Sequence, residues 1–578
     1  MNFLKNVLAS LVAICLALVI FVTIGVAIAM VASKDAIKEV KPNSVLEIDL
    51  SGELNDYAPT ALNPVAEALG LENQTYGFNQ ISKAIESAIY DDKIKGISLT
   101  NIPENIGWAQ LTALRAMLED FKKSGKFIYA YEDVYSQKKY YLYTVADQLF
   151  ISPLGYVELK GLHSEVMFFK DFQEKYGVKM EVVRHGKYKS AVEPFLANEM
   201  SDANREQITA LITGLWQQVA NEINSSRNFD VNAAVMNLYG QSATSAKEHG
   251  LVDAILYPDA YEKLMQQKLG TEALEKVKMN DYLAQVTLLE MLPKTQKIAV
   301  IYAQGEIIYG KGDLKTIGQE KMIKAFKKAT EDNNVKAIVL RINSPGGSAL
   351  ASDLIWNAVQ MAKEKKPVVV SMGNLAASGG YYIACGANKI FAEPTTITGS
   401  IGVFGVLPNA AKLTQDIGIH TEVVSTHDNG IHYSPFHPVD KRFKGVVKNS
   451  IEHIYDTFVT RVSEGRKMTK QQVNQIAQGR VWTGSKALEI GLVDELGSLE
   501  DAIIYASEQV ALQDFSIEEY PKYDLDLKEM LGFSPLLQTK FGWNAFLPKK
   551  VSSKATILQR VLEEPSAQTR IPFELMVE

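Results

Sequence analysis

One stretch of the chain places a serine among alanine and glycine residues, whose side chains are the smallest. Residues 371–385 read SMGNLAASGGYYIAC, so Ser378 follows two alanines and precedes two glycines. A serine hydroxyl becomes a nucleophile when a base takes its proton, and small neighbours let a peptide backbone approach. Glycine also permits the tight turn from the apolar run into the helical segment that follows. An ordinary glycine-rich turn is the alternative. The functional interpretation predicts a nucleophile at a helix start, with the N–H group of Gly379 facing an oxyanion.

A second loop rich in small residues precedes this stretch. Residues 341–350 read RINSPGGSAL, with Gly346 and Gly347 directly after a proline. Backbone N–H groups without bulky neighbours can bind the oxyanion of a tetrahedral intermediate. The letters SPGG are also favourable turn chemistry in any protein. The loop is therefore a candidate oxyanion hole, and either glycine can be its donor.

The elements that position these residues come in two copies. Identities recur at one offset of 241 residues, which indicates a tandem duplication. The recurring segments include YY at 140 and 381, EVV at 181 and 422, and GLVD at 250 and 491. Each copy alternates short apolar runs with amphipathic segments, a pattern that predicts α/β units around a largely parallel sheet. We predict an N-terminal segment 1–44, a first repeat 45–295 and a second repeat 296–578.

In the second copy, several elements can be placed individually. The apolar runs KIAVIYA, KAIVLRI, KPVVVSM and NKIFAE predict buried strands, and ASDLIWNAVQMAKEKK predicts a helix. The segment GSLEDAIIYASEQVAL begins with Ser-x-x-Asp, which resembles a capping box. Residues from about 521 onward are less regular, and the pattern assigns them to no element.

The two copies differ where chemistry would take place. At the offset of 241 residues, Ser378 stands opposite Gln137, and Lys189 stands opposite Gly430. The second copy therefore supplies the serine and the glycines, and the first copy supplies a lysine. This asymmetry predicts one site divided between two specialised copies.

Four motifs in this order resemble those of one family. They are KYKSAVEPF, RINSPGGSAL, GNLAASGGYYIAC and TITGSIGVFG. Together, on a duplicated chain, they resemble the signal peptide peptidase A family (protease IV, peptidase family S49) in its long form. The resemblance covers nearly the whole chain and implies repeats of the ClpP/crotonase superfamily fold. It also implies a serine endopeptidase that cuts apolar peptides, chiefly signal peptides already released from their proteins.

The resemblance assigns roles to individual residues. Ser378 matches the nucleophile, and Lys189 of YKSAVEPF matches the general base, although Lys187 is an obvious rival. Gly346 and Gly347 match the second oxyanion donor, and Ser400 matches a serine that hydrogen-bonds the lysine amine, with a plain turn serine as the alternative. An exposed lysine has a pKa of about 10.4 and cannot act as a base at neutral pH.

The lysine therefore has to be enclosed, because burial disfavours the ammonium form. Val192 and Phe195, together with the apolar residues around Ser378, are the residues that we expect to seal the site.

An apolar N-terminal segment predicts a membrane anchor. Residues 7–33 carry no charge and are long enough to cross a bilayer core of about 30 Å. Ala27-Ile28-Ala29 resembles a cleavage site, so a cleaved signal peptide is the alternative. Lysines flank both ends, so charge does not determine the orientation. The resemblance implies a single-pass protein of the cytoplasmic membrane, with catalytic domains on the periplasmic side and a ring-like homotetramer.

Other functional classes fit the sequence less well. The net charge of −7 does not suggest nucleic acid as a partner, and no metal-ligand spacing or phosphate loop implies a metal or cofactor. A Ser-His-Asp triad using His427, Asp428 or His432 would draw on a polar loop. A crotonase-like acyl-CoA enzyme and a non-catalytic membrane scaffold are the remaining alternatives. Cys15 and Cys385 predict no structural disulfide, since Cys15 lies in the apolar segment.

Overall fold

The computed structural model describes residues 39–58, 75–289, 294–427, 433–523 and 568–570. The apolar segment 7–33 lies outside the described residues, and so do Asp428 and His432. Among the helices in the described ranges, none combines the length and apolar character needed to span a bilayer.

The first repeat is built around a six-stranded parallel sheet, in the order Ala254–Ile255, Gln148–Val157, Phe127–Tyr135, Ile94–Thr100, Ser44–Asp49 and Lys276–Lys278. Its central strands are mostly buried, as in a parallel sheet that is covered on both faces. The strands of this repeat are β1 (Ser44–Asp49), β2 (Glu53–Asn55), β3 (Thr75–Gly77), β4 (Ile94–Thr100), β5 (Phe127–Tyr135), β6 (Gln148–Val157), β7 (Lys179–His185), β8 (Ala254–Ile255) and β9 (Lys276–Lys278). Its α-helices are α1 (Phe78–Tyr90), α2 (Trp108–Lys123), α3 (Gln137–Tyr143), α4 (Lys170–Tyr176), α5 (Asp202–Arg227), α6 (Val231–Met236), α7 (Ala243–Glu248), α8 (Pro258–Leu269) and α9 (Met279–Leu289).

The second repeat has the same strand order, from Glu495–Leu496 through Lys389–Ala392, Val368–Ala377, Val335–Ser344 and Lys297–Gln304 to Ser516–Tyr520. Two further strands, Ile397–Gly399 and Val481–Thr483, bring this sheet to eight strands. The predicted runs form β10, β13, β15 and β16, and Ser498 caps α17 by accepting the N–H of Asp501. Its strands are β10 (Lys297–Gln304), β11 (Glu306–Ile308), β12 (Thr316–Gly318), β13 (Val335–Ser344), β14 (Gly346–Ser348), β15 (Val368–Ala377), β16 (Lys389–Ala392), β17 (Ile397–Gly399), β18 (Val403–Asn409), β19 (Val481–Thr483), β20 (Glu495–Leu496), β21 (Ser516–Tyr520) and β22 (Gln568–Arg570). Its α-helices are α10 (Gln319–Glu331), α11 (Ala349–Lys363), α12 (Gly379–Ala384), α13 (Ala411–Asp416), α14 (Lys441–Arg466), α15 (Lys470–Ile476), α16 (Gly484–Glu489) and α17 (Leu499–Glu508).

Equivalent hydrogen bonds in the two repeats confirm the duplication. The hydroxyl of Tyr140 donates to the carbonyl of Leu251 at 2.9 Å, and the hydroxyl of Tyr381 donates to the carbonyl of Leu492 at 2.9 Å. Both bonds are fully buried, where a lost partner would leave a costly orphan group. Residues that are 241 positions apart therefore make equivalent tertiary contacts as well as sharing residue types.

A third sheet joins the repeats, in the order β12-β11-β14-β22-β18-β7. Strand β7 belongs to the first repeat, yet it pairs along its whole length with β18 of the second repeat in antiparallel register. The two repeats therefore share backbone hydrogen bonds, which holds the segment after β7 against the second repeat.

The segment after β1 also crosses to the second repeat. Asp56 forms a fully buried ion pair with Arg341 of β13, with Nε 2.9 Å from a carboxylate oxygen. Tyr57 stacks on Tyr302 of β10 with ring centroids 4.4 Å apart. A buried charge needs its partner, so these contacts fix the early part of the first repeat on the sheet of the second.

Candidate active site

Ser378 lies at the turn between β15 and α12. Its φ of 55° and ψ of −114° are uncommon for a residue with a side chain. The turn is held on both sides, because the Ser378 N–H donates to the carbonyl of Gly399 and its carbonyl accepts the N–H of Tyr382, both at 2.8 Å. The small neighbours are required here, since a Cβ on Gly380 would lie 2.8 Å from the carbonyl oxygen of Ser344.

The structure brings Lys189 and Ser378 together within one chain. Lys189 follows β7 and directly precedes the short 3₁₀ helix Ser190–Phe195. Its Nζ lies 2.8 Å from Ser378 Oγ, and both side chains are fully buried. The lysine of the first repeat therefore reaches the serine of the second, as the divided-site prediction requires.

Ser400 completes the surroundings of the amine. Its Oγ lies 2.9 Å and its carbonyl oxygen 3.0 Å from Lys189 Nζ. Ser400 has a φ of 53°, and its own N–H donates to the carbonyl of Arg480 at 2.7 Å. This backbone geometry turns both oxygens of one residue toward the same nitrogen.

Burial lowers the pKa of Lys189 well below its ordinary value. The neutral amine has two N–H groups and one lone pair, and it has three oxygen neighbours. In a neutral amine, the two oxygens of Ser400 can accept both N–H groups, and the lone pair is then free to accept the hydroxyl proton of Ser378. Burial thus favours the neutral form of this lysine, and the two oxygens of Ser400 direct its N–H groups.

An apolar cluster encloses the lysine. Val192 is buried, Phe195 is half-buried, and both pack with Phe404 of β18. The rival Lys187 is exposed, and its Nζ lies 4.7 Å from the ring centroid of the adjacent Tyr188. Only Lys189 of these two lysines has the enclosure that a general base needs.

A loop of the second repeat positions the lysine, and the sequence carried no signal for it. The N–H of Tyr188 donates to the carbonyl of Gln478 at 2.9 Å. Gly479 has a φ of +81°, and a Cβ there would lie 2.6 Å from both the N and the Cβ of Lys189. The backbone of Lys189 therefore rests directly on this glycine.

Gly479→Ala is expected to reduce peptide cleavage by about 100-fold, because displacing a catalytic group by about 1 Å has effects of this size. Gly125→Ala is the matched control, since Gly125 has a φ of +83° and no atom within 4 Å of an added Cβ. The control carries the same backbone strain without the collision. Equal initial rates of peptide hydrolysis for the two variants would contradict the positioning role.

The glycine pair forms the short strand β14. Gly346 has a φ of 101°, and its N–H donates to Ser344 Oγ at 3.1 Å. Gly347 has a φ of 152°, and a Cβ there would lie 2.0 Å from the carbonyl oxygen of Ile307. Both positions thus require glycine for backbone reasons.

The first repeat carries no comparable site at the equivalent position. Gln137, opposite Ser378, is buried, and its side-chain oxygen accepts the N–H groups of Lys160 and Gly161 at 3.1 and 2.9 Å. Its side-chain nitrogen donates to the carbonyl of Gly161 at 3.0 Å. The glutamine therefore fills the space and binds the loop equivalent to residues 401–402.

The alternative triad gains no support from His427. This side chain is exposed, and its Nδ1 lies 2.9 Å from the hydroxyl oxygen of the adjacent Thr426.

Cys385 is a buried free thiol that donates to the carbonyl of Tyr382.

Comparison with known proteins identifies the relatives of this chain. The model of peptidase family S49 matches it twice, over residues 120–271 and 360–513. Protease 4 of Haemophilus influenzae is 36% identical over 84% of this chain and 82% of its own length. Protease 4 of Salmonella typhi is 35% identical over 90% and 86%, and the chloroplastic serine protease SPPA of Arabidopsis thaliana is 34% identical over 82% and 70%.

These matches, on a duplicated α/β chain, define the class of protein as a serine protease. The chain belongs to peptidase family S49. Among solved structures, ClpP1 of Listeria monocytogenes matches 35% of this chain and 94% of its own, at 18% identity and a TM-score of 0.25. That score is too low to establish a shared fold, so the ClpP/crotonase-like architecture stays a prediction.

Proposed function

We propose that this protein is a membrane-anchored endopeptidase in which Lys189 activates Ser378 to hydrolyse apolar peptides, chiefly signal peptides after their release. The distance of 2.8 Å between Lys189 Nζ and Ser378 Oγ carries this proposal, because both groups are buried and lie within hydrogen-bond distance of each other. The motif resemblance supports the substrate class.

The proposed reaction begins when Ser378 Oγ attacks the peptide carbonyl and its proton passes to Lys189 Nζ. The resulting oxyanion accepts hydrogen bonds from the backbone N–H groups of Gly379, the first residue of α12, and of one glycine of β14. The lysine ammonium then gives its proton to the leaving amine, and an ester on Ser378 remains. Water attacks this ester while Lys189 takes a proton from it, and the ammonium then returns that proton to Ser378 Oγ, which releases the acid and restores both the hydroxyl and the neutral amine.

Burial is what allows a lysine to act here. Every turnover makes an ammonium in an apolar site, and Ser400 stabilises it with two oxygens at 2.9 and 3.0 Å. The ammonium is acidic in this environment, so it returns its proton readily. An apolar peptide substrate brings no carboxylate into the site, so it does not stabilise the ammonium form of Lys189.

Labelling with a fluorophosphonate tests the proposed dyad. The probe should attach to Ser378 in the native chain and fail to attach in Lys189→Ala. A synthetic signal peptide should be cut, while a folded soluble protein of similar size should not. Attachment to a different serine would contradict the assignment of the nucleophile.

The membrane anchor is the second part of the proposal. It rests on residues 7–33, which carry no charge, and on the family resemblance. The native protein should resist carbonate extraction, with the catalytic repeats digestible by protease added from the periplasmic side. Recovery of a soluble chain lacking about thirty N-terminal residues would instead establish cleavage near Ala29.

We further propose a homo-oligomer, with four chains by family resemblance. The pair β7 and β18 has a counterpart at the offset of 241 residues, namely segments 420–426 and 162–168. These two segments form no strand in the structure, and Val424 is 101% exposed where its equivalent Val183 is 8% exposed. Pairing between segment 420–426 of one chain and segment 162–168 of the next would bury both. Such head-to-tail contacts close into rings when the rotation permits.

Val424→Lys tests this interface, because a lysine directed into a paired strand face destabilises the contact. We expect a species of several chains for the native protein by light scattering and a smaller species for the variant. Leu154→Lys is the control, since Leu154 is 96% exposed elsewhere on the first repeat. A native protein that is monomeric at micromolar concentration would overturn the proposal.

A further inference from the structure

Arg480 lies directly before β19, in the loop that supports the lysine. Its carbonyl accepts the N–H of Ser400 at 2.7 Å, and Ser400 in turn places two oxygens on the amine of Lys189. The N–H of the preceding residue, Gly479, donates to the carbonyl of Ile401 at 2.8 Å. The main chain of this loop therefore holds Ser400 in the position from which it binds the amine.

The side chain of Arg480 binds the residue that precedes the lysine. Its Nη1 donates to the hydroxyl oxygen of Tyr188 at 3.1 Å and to Oε1 of Glu206 at 2.7 Å. The hydroxyl of Tyr188 donates to the other carboxylate oxygen of Glu206 at 3.0 Å. Each of these hydrogen bonds has a charged partner, and bonds of this kind are stronger than neutral ones. Because Glu206 belongs to α5, the network joins the second repeat to the first beside Lys189.

The guanidinium of Arg480 also packs against two aromatic rings. Its Cζ lies 4.8 Å from the ring centroid of Tyr188 and 4.3 Å from that of Trp482. The ring of Trp482 contacts Gly399, where an added Cβ would lie 2.8 Å from Cδ1 of the tryptophan. The carbonyl of Gly399 accepts the N–H of Ser378 at 2.8 Å. One side chain thus contacts the tyrosine next to the lysine and the tryptophan next to the serine turn.

We propose that Arg480 is a positioning residue for the Ser378–Lys189 pair, in which its guanidinium and its carbonyl together fix the lysine segment, Ser400 and the serine turn. The inference rests on the function proposed for this pair. In the described part of the chain, the hydrogen-bond partners of Lys189 Nζ are oxygens of Ser378 and Ser400. Arg480 therefore acts through its neighbours and not on the reacting atoms.

The contacts of this guanidinium require an arginine rather than any cation. The side chain of Arg480 is 17% exposed, so most of its surface is in contact with protein. A planar guanidinium stacks on aromatic rings and directs its N–H groups at a carboxylate, while a lysine ammonium supplies the charge without the flat face. Arg480→Lys therefore keeps the ion pair with Glu206 and loses the stacking on Tyr188 and Trp482.

The same contacts keep the amine of Lys189 away from water. Lys189 is fully buried, and burial lowers its pKa. When Tyr188 is released from Arg480, water reaches the amine and favours the ammonium form, and the loss of a nearby cation acts in the same direction. Both effects raise the pKa of Lys189 toward its ordinary value. The charged side chains on the elements around the lysine are those of Arg184 on β7, Lys187, Glu193 on the 3₁₀ helix, Glu206 on α5 and Arg480.

Arg480→Gln in the full chain tests the positioning role. For a synthetic signal peptide we expect kcat at pH 7 to fall at least about 10-fold, because an error of about 1 Å in the placement of a catalytic group costs up to about 100-fold. The KM should stay within about twofold of the native value, since a positioning residue does not contact the peptide. The acid limb of the profile of kcat against pH should move to higher pH, and Arg480→Lys should recover part of the lost kcat.

Arg227→Gln is the matched control. Arg227 forms an ion pair with Asp253 at 3.0 Å, its side chain is 10% exposed, and its Nε, like that of Arg480, has no hydrogen-bond partner among the described residues. It lies at the end of α5, about 30 Å along the helix axis from Glu206. The control removes a guanidinium of similar burial from a different part of the first repeat, so it should lower stability and keep the native kcat and pH profile.

Glu206→Gln provides a second variant if Arg480→Gln does not fold. The side chain of Glu206 is 54% exposed, so this change removes the ion pair at little cost to the fold. Its kcat should fall by a smaller factor than that of Arg480→Gln, with the acid limb displaced in the same direction. A native kcat together with a native pH profile in Glu206→Gln would count against the network.

The inference and the proposed function fail in different ways. Native kcat and an unshifted pH profile in a folded Arg480→Gln chain, with Ser378 labelled normally by a fluorophosphonate, would overturn the positioning role alone. A lower kcat with an unshifted profile and no recovery in Arg480→Lys would also overturn it, since that pattern indicates general destabilisation. A native chain in which Ser378 is not labelled and no peptide is cut would refute the Ser378–Lys189 pair itself.

Discussion

Ser378→Ala is expected to reduce peptide cleavage by a factor on the order of 10⁴ or more, the scale seen when a serine nucleophile is removed. The reason is that the ester intermediate cannot form, while the lysine and the oxyanion donors can still act on a bound peptide to a small extent. The fold should be retained, because the change removes one oxygen from a turn whose backbone is held by Gly399 and Tyr382. Initial rates on a synthetic signal peptide, with circular dichroism of the same samples, are the measurements.

Ser352→Ala is the matched control for this variant. Ser352 of α11 is also fully buried, and its hydroxyl donates to the carbonyl of Ser348, the residue that caps this helix. Its loss should cost about 1 kcal/mol of stability and leave the rate nearly unchanged. A well-folded Ser378→Ala chain with native activity would end the serine-nucleophile assignment.

Lys189→Met is expected to be as inactive as Ser378→Ala, since methionine fills much of the volume but cannot accept a proton. The native enzyme should also lose activity as the pH falls through the lowered pKa of Lys189, because protonation removes the lone pair that faces Ser378. The rate therefore rises with pH through this lowered pKa, well below the pH at which an ordinary lysine loses its proton. A native profile that rises only near pH 10 would mean that the base is an ordinary exposed lysine.

The lowered pKa of Lys189 also makes the free energy of unfolding of the native chain depend on pH. In the unfolded chain Lys189 has a pKa of about 10.4, and in the folded chain burial lowers the pKa. The unfolded state therefore binds more protons in the window between these two values, and native stability rises with pH there. Each unit of difference corresponds to about 1.4 kcal/mol.

Lys189→Met lacks this group, so its stability relative to the native chain should fall between pH 7 and pH 10. Urea unfolding of both chains at the two pH values measures the change. A relative stability that is independent of pH would show that the folded lysine keeps its ordinary pKa.

The sequence alone determined the duplication and the specialisation of the copies. The repeated segments at an offset of 241 residues survive because each copy has to form the same sheet and the same buried bonds, such as those of Tyr140 and Tyr381. Ser378 could be predicted as a site residue from its small neighbours, because a tight turn and a close backbone approach restrict the residue types allowed there. Lys189 could be predicted from its motif and from its position opposite Gly430 in the other repeat, and not from the residues around it alone.

Only the tertiary structure decided how these residues meet. The exchange of β7 onto β18 carries Lys189 to the second repeat, and Gln478 and Gly479 hold its backbone there. The same is true of the backbone carbonyl of Ser400, which contacts the amine beside the hydroxyl expected from the motif, and of β22, whose three residues stand beside the glycine pair. These contacts join segments up to hundreds of residues apart through backbone atoms that every residue has. Side-chain patterns along the chain therefore cannot encode them, and only the folded backbone brings them together.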